Sequence, residues 1–296
     1  MPDDVVAGVV VSRPDKLLWP APRITKRDYV DYLVSVAPQM LPWIRERPLT
    51  LVRAPDGVEH HRYFQKDASP SAPAWVRTVT IHAPSARRDV RYVVCNDRRT
   101  LAWLGNQAAV ELHAATVRMA RLDRPDVLVF DLDPPSGGFE RAAEVARAVR
   151  AVLLDAGLPF GLKTSGGKGV HVVVPLQRRH SPDDVRLASA RLAARVVETL
   201  PDLATTEFRK SDRDGRVLVD VTRNGGGQTV VAPFSPRARP GAPVSFPIAW
   251  EDLGGVSPDD LRIDTARGML DRPAVRAWAE LVRRPARLPS ALVRAG

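Results

Sequence analysis

From Val127 to Pro135 the chain reads Val-Leu-Val-Phe-Asp-Leu-Asp-Pro-Pro, an alternation of period two that predicts a buried strand. Side chains alternate across a strand, so Val129, Asp131 and Asp133 share one face while Leu128, Phe130 and Leu132 share the other. Two prolines then stop it. A second alternating segment, from Arg216 to Arg223, sets Arg216, Leu218, Asp220 and Thr222 against Val217, Val219 and Val221. Leu49 to Arg53 is a further strand, and Val76 to Val94 reads as two or three strands connected around Pro84-Ser85-Ala86.

Other stretches follow the helical period. Tyr29, Leu33, Val36 and Met40 form one stripe despite Pro38, opened by Thr25 and Asp28 as a capping box. After the turn at Gly137-Gly138, Ala142, Val145, Ala146, Val149, Val152 and Leu153 fall on one face, and Gly157 closes the helix. Ser181-Pro182-Asp183-Asp184 starts a third helix that buries Val185, Ala188, Leu192 and Val196 and ends at Leu200-Pro201, which makes Asp183 and Asp184 structural. Leu101 to Met119 is also expected to be helical, carrying Asn106, Gln107, Glu111 and His113. Strands alternating with helices predict an α/β chain.

At 296 residues and 44% hydrophobic content, the chain is long enough for one large or two closely packed α/β parts. Its net charge of +10 favours a polyanionic partner, although an arginine-rich composition also follows from genome base composition. Only six of the 44 basic residues are lysine: Lys16, Lys26, Lys66, Lys163, Lys168 and Lys210. A compact ammonium that meets a phosphate as a point charge is one reason to keep them, and chance survival is the other. Cys95 is the only cysteine, which excludes an intrachain disulfide and a cysteine-based zinc site and fits a reducing cytosol. The acidic start (Asp3, Asp4) is not a signal peptide, and no apolar run reaches the ~18 residues of a membrane span. The proline-rich places, Ser69 to Pro73 and Ala232 to Pro247, read as ordered loops.

Chemistry enters through the acids. Asp131 and Asp133 are neighbours on one strand face, and close like charges share a proton or a cation. The plainer reading has one of them capping the next turn and the other solvated. A lone acid in an apolar strand is costly unless it is paired or metal-bound, which makes Asp220 the third candidate ligand. Gly161 to His171 is a glycine-rich turn opening into a β-branched strand; its amides and Lys168 suit a phosphate, but the spacing is not that of a Walker loop. Lys16 and Lys26 flank a helix start, as a phosphate site or as a surface pair. In His60-His61-Arg62-Tyr63-Phe64-Gln65-Lys66, the two aromatics form a base-stacking platform, or one of them is core. His113 alone reads as a satisfied core histidine. Three carboxylates, a phosphate cradle and a basic exterior suit two-metal phosphoryl or nucleotidyl transfer with magnesium or manganese.

These residues also carry a resemblance. Asp15-Lys16-Leu-Leu-Trp-Pro, Phe64-Gln65-Lys66, Leu128 to Pro134, Thr164 to His171, Val219-Asp220, Arg223-Asn224 and Thr229 to Pro243 together resemble the polymerase domain of bacterial ligase D. That domain is a member of the archaeo-eukaryotic primase superfamily used in non-homologous end joining. The resemblance runs from Asp15-Lys16 to about Trp250. It implies an α/β fold of mixed sheets, with an RRM-like part carrying the catalytic strands and a smaller N-terminal α/β part, residues 1–296 forming one catalytic domain.

By the same resemblance, Asp131, Asp133 and Asp220 are the catalytic metal ligands, with two Mg or Mn ions expected. Arg53, Lys66, His113, Ser165, Lys168, His171, Asn224 and Arg237 hold the incoming NTP or dNTP. Lys16 and Lys26 grip a downstream 5′-phosphate, and Phe64, with Tyr63 beside it, stacks on the template. The implied partners are DNA with gaps, overhangs or broken ends, Ku, and a separate ATP-dependent DNA ligase, since the family's ligase and phosphoesterase modules do not occur here. The implied location is the bacterial cytoplasm, at the nucleoid. Two features depart from the pattern: Tyr63 stands where phenylalanine is common, and Val221-Thr222 where an aromatic plus a small or apolar residue is usual. Gap filling or priming in excision repair uses the same chemistry and is the alternative. A haloacid-dehalogenase phosphatase also places Asp-x-Asp after a strand, but Pro135 stands where that family needs Thr or Val. An inactive nucleic-acid-binding relative would be expected to lose an acid, and all three are present.

Overall fold

The computed structural model describes residues 4–83 and 87–293. The expected connection at Pro84-Ser85-Ala86 lies outside the described residues. In chain order the first elements are β1 (Val5–Val6), β2 (Val9–Val10), β3 (Leu17–Trp19), β4 (Ile24–Thr25), α1 (Lys26–Ser35) and α2 (Ala37–Ile44). There follow β5 (Pro48–Arg53), β6 (Tyr63–Gln65), β7 (Thr78–Ala83), β8 (Arg88–Val94), α3 (Arg98–Asn106) and β9 (Ala109–Ala115). Next are β10 (Val127–Asp133), α4 (Phe139–Asp155), β11 (Gly161–Thr164), β12 (Val170–Pro175), α5 (Pro182–Thr199), β13 (Ala204–Thr205) and β14 (Val217–Asp220). The remainder is β15 (Thr229–Val231), α6 (Ile263–Ala266), α7 (Pro273–Leu281) and α8 (Ser290–Val293). The chain is thus α/β with mixed sheets, and it divides into two compact units.

The first unit takes Met1–Ala115 with the returning segments Thr229–Ser245 and Leu261–Leu270. Its main sheet is antiparallel, in the order β15-β9-β5-β8-β7, with β6 also paired to β5. The capping box at α1 is formed in both directions: Asp28 N donates to Thr25 Oγ1 (3.1 Å) and Thr25 N to Asp28 Oδ2 (2.9 Å). The apolar stripe from Tyr29 to Met40 spans two helices instead of one, because Pro38 has no N–H to continue α1 and sits in the first turn of α2. Gly105 lets α3 lie close on α1; a Cβ there would stand 2.9 Å from Val30 Cγ2.

The expected helix from Leu101 to Met119 is corrected. Helix α3 stops at Asn106, Ala108 takes a left-handed φ of 51°, and Ala109–Ala115 is a strand in the sheet interior between β5 and β15. Alternation over that strand puts Glu111 and His113 on the same face, where a helix would have turned them apart.

The second unit comprises Thr116–Gln228, Phe246–Asp260 and Asp271–Gly296. Its sheet runs β11-β12-β10-β14-β13, antiparallel except for the parallel β13–β14 edge. Helices α4 and α5 pack together and against this sheet. Leu128, Phe130 and Leu132 are fully buried, each contributing about 1.5–3 kcal/mol of apolar burial, which leaves the alternate row to the acids. The strand expected from Arg216 to Arg223 is shorter and ends at Asp220. There Asp220 Oδ1 accepts from Thr222 N (2.7 Å) and Thr222 Oγ1 (2.6 Å), which turns the chain into the short 3-10 turn Thr222–Asn224.

Candidate active site

One row of side chains crosses four strands of the second unit. Lys163 on β11 is the register partner of His171 on β12, His171 of Asp131 on β10, and Asp131 of Asp220 on β14. Directly opposed residues of antiparallel strands point to the same face, so the row runs cation, imidazole, carboxylate, carboxylate. Lys163 Nζ lies 2.9 Å from His171 Nδ1, and His171 Nε2 lies 3.3 Å from Asp131 Oδ1. Asp133, two residues on from Asp131, shares this face; Lys168 Nζ and Arg213 Nη1 each approach it to 3.3 Å.

Burial would raise the Asp131 carboxyl, but the His171 charge and hydrogen bond, with Arg223 and Lys163 behind them, hold it below the ordinary aspartate range. It is therefore ionised beside a second carboxylate. Asp131, Asp133 and Asp220 supply hard oxygen donors at adjacent register positions, which suits a divalent cation in donor type and placement. In the present rotamers Asp133 is turned to its two cations. Among the described residues no three acidic, imidazole or thiol side chains are gathered into a ready metal cage.

The glycine-rich turn opens into β12, as its pattern implied, and its first residues, Gly161–Thr164, form the additional strand β11. Ser165 is buried; its Oγ accepts from Gly167 N (3.2 Å) and Gly169 N (3.3 Å), while Ser165 N donates to Gly169 O (2.9 Å). Two of the amides expected to meet a phosphate are thus engaged within the turn, which is held closed from inside. Gly169 lies so close to the carbonyl of Leu132 that no Cβ fits between them. Asn224 is fully buried. Its Oδ1 accepts from Val129 N (2.8 Å), and its Nδ2 donates to Val129 O (2.8 Å) and Val221 O (3.0 Å). Where β14 has ended, this carboxamide supplies the next rung of the ladder to β10.

The remaining expected residues belong to the first unit. His113 Nε2 and Glu111 Oε2 are 2.8 Å apart, Arg237 Nε lies 3.1 Å from the same oxygen, and Ala238 N donates to Glu111 Oε1 (2.8 Å). Burial opposes the Glu111 charge, yet the His113 hydrogen bond and the Arg237 guanidinium pull its pKa down to about 2. Arg53 Nε donates to Gln107 O (2.7 Å) and its Nη1 to Gln65 Oε1 (3.1 Å). Lys66 is exposed just beyond β6. Phe64 is 72% exposed and Tyr63 is exposed beside it, so neither is core. Lys16 Nζ pairs with Asp56 Oδ1 at 2.7 Å. Lys26 is buried, and its ammonium donates to Ser12 O (2.5 Å). Desolvation, then Arg13 and Lys16, lower its pKa.

The sequence of residues 25–277 matches the family described as LigD, primase-polymerase domain. The chain belongs to that family. It is accordingly a nucleotidyltransferase of the primase-polymerase kind, and a LigD-family polymerase domain implies divalent metal use. The multifunctional non-homologous end joining protein LigD of Mycolicibacterium smegmatis is 35% identical over 266 residues, 89% of this chain and 35% of that protein. The corresponding DNA repair protein LigD of Mycobacterium tuberculosis is 38% identical over 254 residues, 83% of this chain and 33% of that protein. The chain thus spans about a third of the length of these relatives. In structure it is similar to the polymerase domain of Mycobacterium tuberculosis ligase D solved in complex with DNA, with a TM-score of 0.85 and 34% identity, covering 92% of this chain and 98% of that one. Among the described residues no helix is long and apolar enough to cross a membrane.

Three residues beside the acid row of the second unit, Lys163, Arg213 and Arg223, and one beside His113 in the first unit, Glu111, carry no site role in the sequence reading. Lys163 stands out in the sequence only as one of six lysines, and the even spacing Lys163-x7-His171 across a tight turn is the signal that sets it opposite His171. Arg213 falls in none of the motifs read from the sequence, Arg223 enters only within the Arg223-Asn224 motif, and Glu111 is expected on a helix.

Proposed function

We propose that this chain extends a DNA strand by template-directed nucleotide addition at DNA breaks during non-homologous end joining, accepting ribonucleotides as well as deoxyribonucleotides. The observation that carries this is the direct opposition of Asp131 and Asp220 with Asp133 on the same face, in a chain of the LigD primase-polymerase family. The names of the relatives favour end joining over gap filling in excision repair.

Asp131, Asp133 and Asp220 would hold two magnesium or manganese ions, which when bound supply activation of the primer 3′-hydroxyl and neutralisation of the departing pyrophosphate. Lys168 and Arg213, each 3.3 Å from an Asp133 oxygen, would offer positive charge to the phosphates. His171 offers a ring nitrogen on the same face, and Ser165 keeps the turn beside it in shape. Asn224 supports β10 from within, a structural duty compatible with the nucleotide role its motif implies.

In the first unit, Arg53, Lys66, His113 and Arg237 take nucleotide contacts, Tyr63 and Phe64 stack on template bases, and Lys16 and Lys26 meet a 5′-phosphate. The exposure of both aromatics supports the stacking role. DNA, Ku and an ATP-dependent ligase are the proposed partners, and the bacterial nucleoid the proposed location. Primer extension on gapped and broken-end DNA, with NTPs against dNTPs and magnesium against manganese, tests the reading. Metal-dependent addition to broken ends is expected. No addition on any of these DNAs with either metal would overturn it.

A further inference from the structure

We infer that His180 works as a proton-operated latch on residues 282–293: while its ring is neutral it accepts the amide of Leu288 and holds that segment against the end of β12, and on protonation it releases it. Leu288 N lies 3.2 Å from His180 Nε2 in this hydrogen bond. A backbone amide only donates, so Nε2 must present a lone pair, and the single ring proton sits on Nδ1. A carbonyl in that place would satisfy the amide at every pH. An imidazole does so only while neutral, because the imidazolium carries a donor on both nitrogens.

The segment depends on this bond. Among residues 282–293 only Leu288 is buried, at 1% exposure, and its amide is the one that His180, itself buried, accepts. A buried amide left without an acceptor is costly. On one side, Ala286 N donates to Pro175 O (3.0 Å) and Gln177 N to Ala286 O (2.8 Å), a parallel bridge that prolongs β12; on the other, Arg191 Nη1 on α5 donates to Ala291 O (2.9 Å). The charged groups facing the ring are Asp184 on α5, Arg287 on the segment, Arg124 in the turn before β10 and Arg179 in the loop of His180 itself. Burial disfavours the charged ring and the three arginines add to it, which together outweigh Asp184 and hold His180 below the ordinary histidine range. Because the folded pKa is the lower one, the latch is closed above pH 6.5 and weakens as pH falls below it. The segment's own charges, Arg283, Arg284 and Arg287, do not titrate in that range. Acid thereby sets how firmly the end of β12 is held.

Hydrogen exchange of the full chain tests this, read by mass spectrometry on peptides covering residues 282–293 and corrected for the intrinsic pH dependence of amide exchange. Between pH 7.5 and 5.5 the protection of the segment should fall about tenfold, since opening takes up one proton at a ring that titrates near 6.5 once exposed, while α4 keeps its protection. His180→Gln sets a carboxamide oxygen near the place of Nε2 and should leave the segment equally protected at both pH values. Unchanged protection of the unmodified segment at pH 5.5 overturns the inference, as does an equal loss in α4, which would be unfolding of the whole unit. A tenfold fall that persists in a folded Gln variant also overturns it, since the proton would then act elsewhere. Should the Gln variant not fold, the unmodified chain decides through the contrast between the segment and α4.

Discussion

Asp131 and Asp220 stand directly opposite each other across β10 and β14, two carboxylates with no residue between them. Like charges opposed on a sheet face are destabilising, so a site built for cations is strained without them. Asp220→Asn keeps the oxygen that accepts from Thr222 while removing one charge. In metal-free buffer it should stabilise the fold by about 1 kcal/mol, raising Tm by a few degrees, and it should abolish nucleotide addition with DNA binding retained. Calorimetry beside primer extension checks this. A variant that is less stable and still active would remove Asp220 from the triad.

Glu111 sets an acid limit on the first unit. Its carboxyl ionises near 2 in the folded chain against an ordinary 4.5, a difference that adds about 3 kcal/mol of stability. Because the folded pKa is the lower one, this stability is fully present above pH 4.5 and is lost as pH falls toward 2. Urea midpoints taken at intervals through that window should fall less steeply for Glu111→Gln than for the unmodified protein. Parallel curves would mean that the buried cluster with His113 and Arg237 is not held by charge.

Much of this arrangement was legible. Period-two alternation located β10 with both of its acids, and capping residues located the starts of α1 and α5, because those signals are local. The misreading of β9 was not local. The break at Gln107-Ala108 depends on an alanine with positive φ, which no sequence rule anticipates, and the strand is selected by partners far along the chain, β5 and β15. Lys163 was equally hidden, since only strand register sets it opposite His171.

Phe64 projects from β6 with most of its ring in solvent. Phe64→Ala should therefore change folding stability by no more than about 0.5 kcal/mol. Loss of a stacked base costs about 1–3 kcal/mol, so affinity for a single-stranded template overhang should drop on the order of tenfold. Fluorescence anisotropy with overhang and blunt duplexes separates the two effects. An equal loss on blunt duplex would place the ring on the backbone instead of a base.

Lys16 and Lys26 differ in how freely they can meet a phosphate. Lys16 is held by the exposed Asp56, whereas Lys26 is buried on Ser12. DNA with a downstream 5′-phosphate should bind about tenfold tighter than its 5′-hydroxyl counterpart, as a charge-assisted contact of ~1.5–3 kcal/mol allows. Lys16→Ala should remove most of that preference without loss of stability, and Lys26→Ala should also lower Tm. Equal affinity of the unmodified protein for both DNAs at one salt concentration would return the lysines to structural roles.

Gly169 offers a ligand nothing to recognise, yet it abuts the carbonyl of Leu132, the residue between Asp131 and Asp133. Any side chain introduced there must push apart the strand that spaces the two acids. Random mutagenesis scored by activity would therefore count position 169 as part of the reaction centre, and efforts to diversify the turn for altered nucleotide choice must leave it untouched, because its contribution is an empty volume.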